Sequence, residues 1–270
     1  LTGTATGANG AGVDVQQVGG GAVTITAASA TGSTSGIYLN NVGFGPGAIV
    51  SSGTLSGTAA AGITAIDTPS GGSLTINATT VTGGARGINA PHLGGGALLI
   101  TDFGQVTGGS GEGVFATTTA TSLTLNVSGV SGRGLAAIYA RNTGTGVSAV
   151  TATGAVSDAT GYGIEAVNTF GATGPTTINA AQVTGVKDGI HVYNQGRGAL
   201  SITATGLATG SSAGPDGILG LNAPAGTALT INAAGGSGGK YGILAKNYGT
   251  GATSVTSTGQ SPARRRTDYS

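Results

Sequence analysis

The chain of 270 residues has no Cys, no Met and no Trp, and only 7% of it is charged. Without Cys there is no disulfide framework, no thiolate metal site and no Cys nucleophile. Ten basic and nine acidic residues leave a net charge of +1, which argues against a nucleic-acid partner. Nine acids are also too few for repeated calcium cages, and the Gly-Gly-x-Gly-x-Asp nonapeptide is absent, so neither a metal nor a cofactor is expected. The longest apolar stretches, such as Ala97 to Ile100 and Leu135 to Ala140, fall far short of a bilayer span. The start, Leu1-Thr2-Gly3-Thr4, lacks the basic and apolar regions of a signal peptide.

What the chain has in excess is Gly, 56 residues of it. These do not fall at every third position, which excludes a collagen helix. With 38% hydrophobic residues and little charge, the composition is not that of a disordered chain. The Gly residues instead punctuate a repeat. The phrase Gly-Ile-x-Ala-x-Asn recurs with its lead position at Gly12, Gly36, Gly62, Gly87, Gly113, Ala137, Gly163, Gly189, Gly217 and Gly242. Successive leads are 24 to 28 residues apart.

Within each repeat apolar residues alternate with polar ones, the period of a strand. One column runs Val13, Ile37, Ile63, Ile88, Val114, Ile138, Ile164, Ile190, Ile218 and Ile243. Two residues on stands a smaller column, from Val15 and Leu39 through Ala65, Ala90 and Ala116 to Ala245. A second segment centres on Ile25, Ile76, Ile100, Leu125, Val150, Ile178, Ile202, Ile231 and Val255. A third carries Leu55, Val81, Val106, Val130, Val156, Val183 and Leu207. A single coil cannot bury these residues, but stacked coils can. The pattern predicts an all-β, right-handed, single-stranded parallel β-helix of about ten coils, with three short strands per coil. The helix is expected over residues 1–259, followed by an irregular basic tail at 260–270. Corner Gly residues are expected at φ > 0, and their neighbouring Asn residues at corners that tolerate the same conformation.

The corner after the first strand carries a polar ladder: Gln17, Asn41, Asp67, His92, Thr118, Asn142, Asn168, Asn194, Asn222 and Asn247. Side chains stacked in this way can bond level to level. Asp67, His92 and Thr118 invite comparison with an acid–His–hydroxyl triad. A corner offers neither an open cleft nor an oxyanion hole, so the three read as substitutions within the ladder. A further ladder of alternating Thr and Asn follows the second strand, from Thr26 and Asn77 to Thr256.

The paired repeats, exemplified by Gly-Ile-His-Val-Tyr-Asn-Gln-Gly-Arg-Gly-Ala-Leu-Ser-Ile-Thr-Ala-Thr-Gly at 189–206, resemble the passenger repeats of bacterial autotransporters. The Gly/Thr/Asn-rich repeats of α-proteobacterial members are most similar. The resemblance covers about Gly12 to Gly259. It implies a surface-exposed structural stalk or adhesin with no catalysis. It also implies a location at the bacterial cell surface and a covalently attached outer-membrane β-barrel in the parent protein. Neither the barrel nor an export signal is present in these residues, so the chain reads as a segment of something longer.

Binding residues are sought on the outer face of the first strand. Tyr139, Glu165 and His191 occupy one outward column on successive coils, and Arg141 and Tyr193 occupy the next. The group reads as an ordinary exposed ladder, or as a shallow face for glycans or cell surfaces, with rings for sugar faces and charges for hydroxyls. Glu112, Asp188 and Asp216 stand just before lead positions and are expected to be solvated. No two facing carboxylates suggest a hydrolase or lyase, which is the alternative for a β-helix. An ice-binding face is a remote alternative, because only Thr24-x-Thr26 matches the Thr-x-Thr pattern strictly. The cut ends of a rod expose apolar coil faces and unpaired strand edges, so end-to-end self-association is expected.

Overall fold

The computed structural model describes residues 3–213 and 215–259, and the basic tail lies outside them. Among the described residues there are 24 strands and no helix. The chain winds as a parallel β-solenoid of about ten turns with roughly 25 residues per turn. Each strand pairs with its counterpart one coil away, as in Ile164↔Ile190 and Val150↔Ile178.

The first strand of every coil forms a ten-stranded sheet running from Val13–Gln17 to Tyr241–Asn247. The second and third segments form a 14-stranded sheet. In the first three coils these segments are separate strands, such as Gly47–Ser51 and Thr54–Gly57. From Ala97–Gly108 onward they fuse into one strand that turns the corner through a bulge, here between Asp102 and Gln105. An extra residue at the bulge bends the strand while pairing continues on either side.

The core is a set of vertical columns, each residue lying on its repeat mate. Ile37, Ile63, Ile88, Ile138, Ile164, Ile190 and Ile218 are all fully buried. Each such side chain contributes about 1.5–3 kcal/mol relative to an exposed one. The second segment's column includes Ile49, which pairs with Ile25 and Ile76 and supplies the coil that the sequence pattern skips. The third column ends on Ala208, not Leu207. Val183 pairs with Ala208, which is buried, whereas Leu207 is 42% exposed. The bulge between Ala204 and Leu207 shifts the alternation by one residue and turns Leu207 outward.

The corners correct the expected role of Gly. No described residue, Gly or otherwise, has positive φ. The restriction is one of space: a Cβ on Gly146 would enter the Thr121 carbonyl of the coil below, and one on Gly198 the Gly174 carbonyl. The polar ladder closes these same corners. Asn41, Asn142, Asn194 and Asn247 each donate from Nδ2 to the carbonyl four residues on.

The two sheets differ in their outer faces. The outward residues of the 14-stranded sheet include no charged side chain among those described. One unbroken row there runs Thr31, Ser56, Thr82, Thr107, Ser131, Ser157, Thr184 and Thr209. Among the described residues, exposed charge is confined to the ten-stranded sheet and its flanking corners.

Candidate functional site

The outward column of the ten-stranded sheet places Phe115, Tyr139, Glu165 and His191 on consecutive levels. Equal register forces neighbouring rings to stack along the rod axis. Phe115 and Tyr139 lie 5.2 Å apart at 11°, and the Arg86 guanidinium covers the other face of Phe115 at 4.0 Å. Arg86 is held in turn by Nε donating to Glu112 at 2.6 Å and by Nη1 donating to Asn89 Oδ1 at 3.0 Å. Both faces of Phe115 are thereby used, and Tyr139 keeps one face toward the level of Glu165.

On the far side of Glu165 the His191 ring packs against Tyr162 at 4.7 Å, and the Lys187 ammonium lies 4.8 Å over Tyr162. His191 Nδ1 sits 2.8 Å from Asp188 Oδ2. Glu165 therefore occupies a notch between two aromatic groups. Burial raises its carboxyl above the usual range, the His191 and Lys187 charges oppose this, and Glu112 adds to it. Glu165 Oε2 is buried with no hydrogen-bond partner. Tyr139 and Tyr162 are also held above the ordinary phenol range, chiefly by burial and then by the Glu165 charge. The buried oxygen is out of a ligand's reach, but half-exposed rings with Arg141 and His191 beside them on one outward face suit a hydroxyl-bearing ligand with an apolar face.

Four of the five expected binding residues come together. Tyr139, Glu165 and His191 share the column, and Arg141, two residues along the same strand, lies close enough for its charge to act on the Tyr139 phenol. Tyr193 is separated from Arg141 by Val167 and stands beside the group rather than within it. Phe115, Arg86, Tyr162 and Lys187 were not among the expected residues. Phe115 could have been found by extending the outward column one repeat, and Tyr162 by its place just before a lead Gly.

Glu112, Asp188 and Asp216 are buried, contrary to the expectation of solvated corner acids. Backbone donors explain the burial of two of them. Asp188 Oδ1 accepts from the Asp216 N–H at 2.9 Å, and Glu112 Oε1 from the Leu135 N–H at 3.4 Å. Asp216 is pushed up to about 6 by burial and then by Asp188, with Lys240, His191 and Lys246 acting the other way. Asp67, His92 and Thr118 are also fully or almost fully buried, so no substrate reaches them. The Thr-x-Thr rows are broken again in the second coil, where Thr24 pairs with Ala48 and Thr26 with Val50. Among the described residues no three His, Asp or Glu side chains gather as a metal ion requires.

Asp102 is an acid the sequence pattern does not single out. It sits at the bulge in a column otherwise occupied by residues such as Ala78, Val127 and Ala152, and is 2% exposed. Its Oδ1 accepts from the Gly104 N–H at 2.9 Å, while Oδ2 has no partner. Burial pushes the carboxyl from 3.8 up to about 6, against the lowering effect of the Gly104 bond. The folded state thus binds this proton more tightly than the unfolded chain. Its contribution is full below about pH 4 and is lost as pH rises through about 6. Asp102→Asn keeps the Oδ1 acceptor without the charge. The variant is expected to be more stable than the parent by about 2 kcal/mol at pH 7.5, with the gap closing near pH 3.5. Urea midpoints at the two pH values check this, and an equal gap at both would contradict it.

No protein-family model matches the chain, and neither a curated protein nor a solved structure matches it.

Proposed function

We propose that the chain is part of a non-catalytic, surface-displayed rod of the autotransporter-passenger type, adhesive through the Tyr139–His191 face. The repeat style supports the passenger reading, and with it a bacterial cell-surface location and a covalently attached outer-membrane barrel. The observation that carries the adhesive reading is the outward row itself: the half-exposed Tyr139 ring on one side of Glu165 and the Tyr162–His191 pair on the other. The ligand class is glycan. Repetition along a rod suits weak contacts multiplied by number.

A glycan array probed with the parent chain and with Tyr139→Ala/Tyr193→Ala tests this. Binding to at least one glycan is expected, reduced about tenfold or more in the variant, since ring–sugar contacts should supply much of the affinity. Tyr139 and Tyr193 both face outward, so the melting curve should change little. A variant that binds as well as the parent would remove this face from the reading. Release of product from a bound polysaccharide would replace the adhesive reading with that of a lyase or hydrolase.

A further inference from the structure

A groove of about 420 Å³ opens on the same sheet, nearer the beginning of the chain, with Asp14, Thr34, Ser35, Tyr38 and Thr64 among its lining residues. Asp14 pairs with Tyr38 and Tyr38 with Thr64, in the same outward column as Phe115, Tyr139, Glu165 and His191. Asp14 is the only described acid that is exposed. Neither Asp14 nor Tyr38 has a side-chain partner among the described residues. The buried Ser35 and Thr64 hydroxyls lie 3.2 Å apart at the edge of the groove.

These groups match what a pyranose ring offers. A free aromatic ring can take its C–H face, a free carboxylate can accept from adjacent hydroxyls, and hydroxyls can both donate and accept. The same chemistry, a Tyr and a carboxylate on neighbouring levels of one column, recurs at Tyr139 and Glu165. Tyr38 and Tyr139 are four levels apart, roughly 19 Å at about 4.8 Å per level. One level is close to the length of one β-1,4-linked sugar. The sole charge in the groove is negative, which disfavours uronic acids.

We propose that the Asp14–Tyr38 groove is a second saccharide subsite, and that one extended, neutral, β-linked glycan lies along the column and occupies both. This rests on the glycan reading of the Tyr139 face. Joining two weak sites through one ligand raises affinity steeply once the ligand is long enough to span them.

Calorimetric titration of the full chain with cellotriose and with cellohexaose tests the proposal. Cellohexaose is expected to bind at least about tenfold more tightly, because only it spans both subsites. Tyr38→Ala is expected to abolish that advantage and leave cellotriose binding at Tyr139. Asp14→Asn, a milder change at an exposed position, is expected to reduce it. Circular dichroism melts establish that both variants are folded. Equal affinity for the two oligomers, or an advantage that survives both substitutions, would overturn the proposal. If neither oligomer binds while the array signal at the Tyr139 face persists, the second subsite fails and the adhesive reading stands. A blank array as well would remove both.

Discussion

Asp67→Ala is expected to lower the unfolding free energy by about 3–5 kcal/mol, the cost of leaving one partner of a buried pair alone. Asp67 and His92 are both fully buried and pair across adjacent coils, with Nδ1 2.7 Å from Oδ2. The contact is close but not well aligned as a hydrogen bond. His92 Nε2 lies 3.1 Å from the Gly96 carbonyl, which can only accept, so that nitrogen carries a proton. Asp67 Oδ1 also accepts from the Asn41 amide at 2.8 Å. Truncation at position 67 therefore strands an imidazole and an amide in the interior.

The same ladder supplies the rescue. Farther along the rod, amides make the level-to-level bonds: Asn168 to Asn194 at 3.1 Å, Asn194 to Asn222 at 2.7 Å and Asn222 to Asn247 at 2.9 Å. Asp67→Asn combined with His92→Asn supplies an amide at each level and a donor for the Gly96 carbonyl. The double variant is expected to recover most of the loss, short by about 1–2 kcal/mol for the space the imidazole filled. Urea unfolding followed by circular dichroism compares the three proteins. If the double variant is as unstable as Asp67→Ala, the ladder is not an interchangeable set of hydrogen bonds.

This interchangeability also explains which parts of the molecule could be read from its sequence. A column of identical residues at one repeat spacing is visible without coordinates, so the Ile columns, the Asn ladder and the Tyr139–Glu165–His191 row are all legible. Legibility fails wherever a coil departs from the common count. Leu207 looks like the successor of Val183 because both are large and apolar, but the bulge before it turns it outward and Ala208 inward. The buried acids fail for another reason. Composition and spacing locate Asp188 before a lead Gly, but not the Asp216 N–H that needs an acceptor there. Asp102 is hidden for a related reason: alternation from Leu98 and Ile100 turns it inward, but its repeat mates such as Ala78 and Val127 are apolar, and only the Gly104 N–H beside it offers its carboxylate a donor. The notch around Glu165 needs both kinds of information. Its column is in the sequence, but Tyr162 and Lys187 reach it from a neighbouring corner.

Gly146→Ala is expected to destabilise the rod by about 3 kcal/mol or more, whereas Gly95→Ala should change it by less than about 1 kcal/mol in either direction. Both residues lie in Gly-rich corners that follow the polar ladder, and neither has positive φ. Backbone preference alone would therefore predict the same small gain at each, through a less flexible unfolded chain. Space separates them. A Cβ at Gly146 would run into the Thr121 carbonyl of the adjacent coil, and backbone cannot rotate aside as a side chain does. At Gly95 nothing lies within 4 Å of that position. Relief at Gly146 requires the two coils to part at this corner. That strains the Asn142 bond to the Gly146 carbonyl, 3.2 Å in the parent. Hydrogen exchange at the Asn142–Ser148 corner should accelerate in Gly146→Ala and stay unchanged at the His92–Ala97 corner of Gly95→Ala. Equal unfolding midpoints for the two variants would show that the corners have room to spare. The close stacking of carbonyl on Gly would then be incidental to stability rather than its cause.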